Sequence, residues 1–205
     1  TVSAGLVNWV LTALFPPRVL PKLEFERTVP KAFETVIVIP TLLTSVEEIE
    51  SLTQQLELHY LRNREEGISY ALLSDFSDAD AETLPADEAL ISLAIQRVEK
   101  LNTRYARARS DHTPFYLFHR RRMWNPSEGR WMGWERKRGK LHEFNRLLRG
   151  QTDHSFAYSV GDPAKLQSVR YVITLDADTL LPIGAASRLI GAMAHPLNRP
   201  IFAPG

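Results

Sequence analysis

Two carboxylates one residue apart, Asp176 and Asp178, close an apolar run that begins at Tyr171, in YVITLDADTLL. A buried strand fills a core with Tyr171, Val172, Ile173 and Leu175, but paired acids at its end have no packing use. What they can do is hold a divalent cation. Hard oxygen ligands favour Mg2+ or Mn2+, and a cation held by few carboxylates completes its shell with phosphate oxygens. The pair therefore points to a phosphorylated ligand, bound where ligands collect in open α/β folds, outside the carboxyl ends of parallel strands. A solvated strand end with no ligand produces the same three letters.

Other residues could complete such a site. Asp75 ends a second apolar run, YALLSD, where its carboxylate can accept hydrogen bonds from a base or a ribose, or simply begin the solvated acids Asp78, Asp80 and Glu82. Lys137, Arg138, Gly139 and Lys140 stand just before a helical pattern, whose amide groups and dipole favour an anion. Lys140 is the residue assigned to a pyrophosphate, and Gly139 would permit close approach; decoration of a surface turn is the alternative. Trp124, Trp131 and Trp134, three of the four tryptophans, fall within eleven residues. Turn signals at Asn125-Pro126 and Glu128-Gly129 predict a hairpin or lid carrying them. Indole faces suit sugar rings or bases, yet they also staple loops and rest at membrane interfaces. His59, His119 and His142 lack an acidic partner at catalytic spacing and read as ordinary histidines. No Ser-His-Asp order, H-E-x-x-H or phosphate-loop pattern is present.

The elements that must position these groups alternate. TVIVI from Thr35 reads as a strand ended by Pro40-Thr41, and Ser45 with Glu48 forms a capping box for a helix with Ile49, Leu52, Leu56 and Tyr60 on one face. Tyr70 to Leu73 is a second strand, and a second helix after Asp87 shows Leu90, Ala94, Val98, Leu101 and Tyr105. Phe115 to Phe118 is a third strand. A shorter helix carries Leu141, Phe144, Leu147 and Leu148 up to a Gly150 cap; the strand ending at the paired acids is the fourth, and Gly184 to Met193 a last helix. This β-α-β-α-β-loop-α-β-α order predicts a mostly parallel, nucleotide-binding sheet with Thr41, Asp75 and the paired acids along one edge.

At 205 residues, 44% apolar and 24% charged, the chain is globular in composition, and without cysteine it has no disulfide framework or thiolate metal site. Its net charge of +1 is unevenly spread. His119 to Arg149 holds 10 Lys and Arg against 3 Glu, a net +7, leaving −6 for the remainder; the basic segment reads as an anion site. Residues 1–15 are an uncharged apolar stretch, either the end of a transmembrane or interfacial helix or a helix packed on the domain. Pro16-Pro17 should end it, with Arg18 and Lys22 as cations at a membrane edge. Residues 16–34 read as a linker and 35–205 as the domain.

IPTLLTS, ALLSDFSDA, LFHRRRMWNPSEGRWMGWERKRGKLHEFNRLLRG and VITLDADTLLP together resemble the glycosyltransferase domain of bacterial cyclic β-1,2-glucan synthases, from about Phe15 onward. The resemblance implies a GT-A-like α/β fold with its carboxyl-terminal part missing. It also implies UDP-glucose as donor, Mg2+ or Mn2+ as metal, a growing β-1,2-glucan as acceptor, and the remaining domains of a larger inner-membrane protein, facing the cytoplasm, as partners. By motif, Thr41 and Asp75 should face the uridine, and Gly139, Lys140 and Asn145 match G-K-x-x-x-x-N near the diphosphate. Asp176 and Asp178 match the metal-binding D-x-D, Trp131 and Trp134 join the substrate residues, and the general base is expected beyond Gly205. The fragment is expected to bind UDP or UDP-glucose weakly and not to turn over alone.

Two other classes fit parts of the pattern. Asp176 and Asp178 also fit the D-x-D of haloacid dehalogenase-like phosphohydrolases, where the first Asp is a nucleophile, but that motif normally follows the fold's first strand. A nonenzymatic nucleic-acid module using the Arg and Trp segment would bind single strands with steep salt dependence; the acidic remainder argues against it, so no nucleic acid is expected. A structural piece docked on a larger assembly is a third, weaker reading.

Overall fold

The computed structural model describes residues 2–15, 20–26, 28–106 and 113–198; Pro16, Pro17 and Arg18 lie outside them. Helix α1 (Val2–Leu14) comes first, then β1 (Thr35–Leu42), α2 (Val46–Arg62), β2 (Ile68–Asp75), α3 (Asp87–Tyr105) and β3 (Phe115–Arg120). A hairpin of β4 (Met123–Asn125) and β5 (Arg130–Met132) follows, then α4 (Arg136–Leu148), β6 (Phe156–Val160), β7 (Tyr171–Thr174) and α5 (Ala185–Ala194). Five strands form one sheet in the order β6-β3-β2-β1-β7, the last four parallel and β6 antiparallel beside β3. The chain steps outward from β1 to β2 to β3 and then returns to the far side of β1 as β7. Such a reversal opens a crevice at the carboxyl ends of the strands on either side of it.

Both faces of the sheet are covered at β1, β2 and β3, which explains why these strands read as unbroken apolar runs, whereas the edge strand β7, expected to be buried, is only partly so. Val36, Val38, Ala71, Leu73, Tyr116 and Phe118 pack against Phe144, Leu147 and Leu148 of α4. Their alternates, Ile37, Ile39, Tyr70, Leu72, Phe115 and Leu117, share the other core with α2, α3 and α5. The helix caps follow the sequence. Ser45 Oγ accepts from the Glu48 amide at 3.2 Å, and α4 closes with Gly150 at φ +76, its amide and that of Gln151 bonding back into the last turn.

The structure departs from the sequence pattern at three places. β6 was not expected, because FAYSV exposes its three middle residues and carries no buried-strand signal; counting it and the two hairpin strands, the paired acids follow the seventh strand, not the fourth. Helix α4 starts at Arg136, so Lys137 to Lys140 lie within its opening turns and not before it. Within 16–34, the described residues lie along the domain: Val29 is buried, its amide bonds to the Glu66 carbonyl at 2.7 Å, and the Leu23 amide reaches the Gly191 carbonyl at 3.0 Å. The side chains of Leu6, Val7, Trp9, Leu11 and Leu14 on α1 are exposed. Among the described residues no helix is long and apolar enough to cross a membrane.

Candidate functional site

A hollow of about 660 Å³ opens at the carboxyl edge of the sheet, at the crevice the topology creates. Thr41 comes to it from β1, Asp75 from the end of β2, Gly133 from the link after the hairpin, Arg136, Lys137 and Lys140 from α4, and Ala177 from the turn after β7. Its floor is a buried cluster of charges. Lys140 Nζ lies 3.1 Å from Asp75 Oδ2 and donates to the Thr41 carbonyl. Arg120, at the end of β3, donates from Nε to Asp75 Oδ1 at 2.7 Å and from Nη2 to Oδ2 at 2.9 Å. Glu143 stands 3.5 Å from Arg120 Nη1, and its other oxygen accepts from the Ser155 amide and hydroxyl at 2.9 and 2.6 Å. Two cations and two anions thus neutralise one another out of water, the condition under which buried charges are tolerated. Burial lowers the Lys140 pKa, and the Asp75 carboxylate opposes that shift.

The rim is exposed and more basic. Arg136 holds Asp78 at 3.0 Å and also Glu128, while Lys137 pairs with Asp176. Asp176 and Asp178 are themselves exposed; Ala177 between them lines the hollow. Among the described residues no three His, Cys, Asp or Glu side chains converge. Two hard carboxylate donors could hold only part of a cation's shell, the remaining ligands coming from phosphate and water.

Of the residues singled out by sequence, the structure brings Thr41, Asp75 and Lys140 together, and Asp176 reaches their hollow through Lys137. Lys140 is not an exposed phosphate ligand but part of the floor. Gly139 is packed against its own chain, where an added Cβ would meet the Trp134 carbonyl at 2.0 Å. Asn145 is exposed on α4 and outside the hollow. Trp134 lines an adjoining hollow of about 450 Å³ with Trp124, Met123 and Glu128, and Arg136 borders both. Trp131 is half-buried behind it, tilted against Trp124 at 5.9 Å and hydrogen-bonded through its backbone to Ala79.

The reading of the whole basic segment as an anion site is corrected. Arg120, Arg122 and Lys140 are buried and answered internally, Arg122 by Asp87 and by the carbonyls of Ser77 and Glu82. Only its exposed cations remain for a ligand. Arg120 and Glu143 were missed as site residues; the available signal was the alignment of the β2 and β3 ends, which sets Asp75 beside Arg120.

No family model matches the chain. Over 202 residues, 98% of its length, it is 44% identical to the cyclic beta-(1,2)-glucan synthase NdvB of Rhizobium meliloti (strain 1021). The chain is related to a segment of that synthase. It spans 7% of the synthase's length. The strings that resembled glucan synthases map onto the site: ALLSDFSDA forms β2 and the Asp75 corner, the Trp-rich string forms the end of β3, the hairpin and α4, and VITLDADTLLP forms β7 and the turn bearing Ala177.

His119, next to Arg120 on β3, is a core histidine. Its ring is fully buried edge-on to Phe76, with Nδ1 2.9 Å from Ser74 Oγ and no partner on Nε2. Burial pushes its pKa down from 6.5 to about 4. Between these values the unfolded chain binds the proton and the folded chain does not, so stability falls as pH drops from about 6.5 toward 4. The expected loss from this residue is about 3 kcal/mol, with buried His59 acting in the same direction. Urea unfolding at stepped pH should show that slope, and His119→Gln should flatten it; an unchanged slope would refute the assignment.

Proposed function

We propose that this chain forms the donor-binding part of an inverting glycosyltransferase that moves glucose from UDP-glucose to a growing β-1,2-glucan. The observation that carries the proposal is the carboxyl-edge hollow, with its neutral buried floor, basic rim and adjoining D-x-D turn, in a relative of a glucan synthase. The uridine lies toward Thr41 and Asp75. Three of about four lone-pair sites on the Asp75 carboxylate already accept from Arg120 and Lys140, leaving one for the ligand. Lys137, Arg136 and the amino terminus of α4 face the diphosphate, with Gly139 keeping the helix start close; Asn145 stays a residue of the matched motif alone.

Asp176 and Asp178 hold Mg2+ or Mn2+, which when bound offsets the charge of the departing diphosphate. Lys137 engages only Oδ1 of Asp176, so Oδ2 and the Asp178 carboxylate are the oxygens that would take the cation. The acceptor glucan lies in the adjoining hollow on the indoles of Trp134 and Trp124, the latter packed on Trp131. Inversion also requires a base on the face opposite the leaving group, a role that none of the residues named above fills. In the whole protein this unit sits at the cytoplasmic face of a bacterial inner membrane among further domains. The dehalogenase-like alternative is disfavoured by topology, since its motif opens that fold and here follows an edge strand, last in the sheet.

Titration calorimetry with UDP tests the assignment. Binding is expected in Mn2+, with a fall in EDTA, and Asp178→Ala in Mn2+ should bind no better than wild type in EDTA. Binding indifferent to both metal and Asp178 would remove the metal from the account.

A further inference from the structure

Arg120 is wholly buried, and each of its five N–H groups has an acceptor nearby. Nε and Nη2 hold Asp75, Nη1 donates to the Trp134 carbonyl at 3.0 Å and faces Glu143, and Nη2 also donates to the Arg136 carbonyl at 3.0 Å. Those two carbonyls bracket a strained corner. Glu135 at φ 50 and Arg136 at φ 45 are, among the described residues, the two non-glycine residues in the left-handed region. L-amino acids keep that conformation only where neighbours hold them in it. The corner turns the chain from the hairpin into α4 and delivers Arg136 and Lys137 to the rim of the hollow.

We propose that Arg120 is a positioning residue: by gripping the carbonyls of Trp134 and Arg136 while it holds Asp75, it fixes the rim cations over the floor at the spacing a nucleoside diphosphate requires. This rests on the nucleotide reading of the hollow. Gly133 supports the assignment, because a Cβ there would fall 2.6 Å from Asp75 Oδ2 and 2.8 Å from Arg120 Nη2, so the chain crosses the ion pair with no side chain between. Lysine cannot replace the fork; it carries the charge but only three donors around one point.

The test titrates the whole chain in Mn2+ with UDP and with uridine, as wild type and Arg120→Lys, and follows amide exchange over residues 133–140. UDP affinity should fall by about tenfold or more and uridine affinity by clearly less, since uridine meets Asp75 but only the diphosphate meets the displaced cations. Exchange should quicken within 133–140 and not elsewhere. Equal losses for both ligands, or no loss, overturn the positioning role and leave the nucleotide reading standing. If the wild type fails to bind either ligand, the nucleotide reading loses its support, and exchange alone decides: local quickening keeps the grip on the corner, whereas unchanged or chain-wide exchange ends it. Should Arg120→Lys not fold, the half-exposed Lys137→Ala takes its place, and UDP binding indifferent to that change overturns the proposal.

Discussion

Asp75→Ala is expected to lower the free energy of unfolding by about 3–5 kcal/mol, because it leaves buried positive charge without its partner. Asp75, Arg120, Lys140 and Glu143 are exposed by 6% or less, and their charges cancel. Without Asp75 both cations turn to Glu143 alone, which already accepts from Ser155. Arg120 would keep its carbonyl bonds, but its Nε and one N–H of Nη2 would face a cavity. Asp75→Asn preserves the volume and one acceptor, so it should cost clearly less than the alanine. Urea unfolding of the three proteins checks this, and a loss below about 1 kcal/mol for Asp75→Ala would show that water reaches the cluster. The effect is large against the 5–15 kcal/mol or so by which domains are usually stable.

Gly139→Ala carries an inverted sign and is the second large effect. In an exposed helix interior alanine is better than glycine by about 1 kcal/mol. At Gly139 the new Cβ would stand 2.0 Å from the Trp134 carbonyl oxygen and 2.8 Å from Glu135 Cβ. The first of these is backbone and the second is fixed to it, so neither can swing aside. Relief requires moving the start of α4 away from the corner that Arg120 grips. We expect destabilisation by about 2–3 kcal/mol, in the range of overpacked cores, together with weakened UDP binding because Arg136 and Lys137 ride on that turn. Thermal unfolding and UDP titration of the variant are the checks; a raised melting temperature would mean that the helix start is looser than its contacts show.

Much of the fold was legible because the strands are buried on both faces and the helices carry one apolar stripe. Val36 to Ile39, Tyr70 to Leu73 and Phe115 to Phe118 leave little choice of element, and the carboxyl ends of the first two, with that of β7, placed Thr41, Asp75 and the D-x-D turn on one edge. Burial of charge was not legible. In HRRRM nothing local distinguishes Arg120 and Arg122, which go inside, from Arg121, which stays in water; the difference lies in acids 45 and 35 residues earlier. Lys140 was assigned to phosphate for the same reason, since only the packed structure shows that Asp75 and the Thr41 carbonyl already claim its ammonium. The left-handed corner at Glu135 and Arg136 was invisible too, because such corners are expected at glycine, and Gly133 and Gly139 nearby serve close packing instead.

The most direct measurement is a crystal structure of the chain soaked with UDP and Mn2+. The metal should lie between Asp176 and Asp178, the diphosphate beside Lys137 and the first turn of α4, and the uracil over Thr41 and Asp75. A third hollow, of about 520 Å³, opens at the opposite edge of the sheet, where Lys31, Arg64 and Gly67 lie near the strand starts. Nucleotide lodged there, or bound with the carboxyl-edge hollow left empty, would contradict the account.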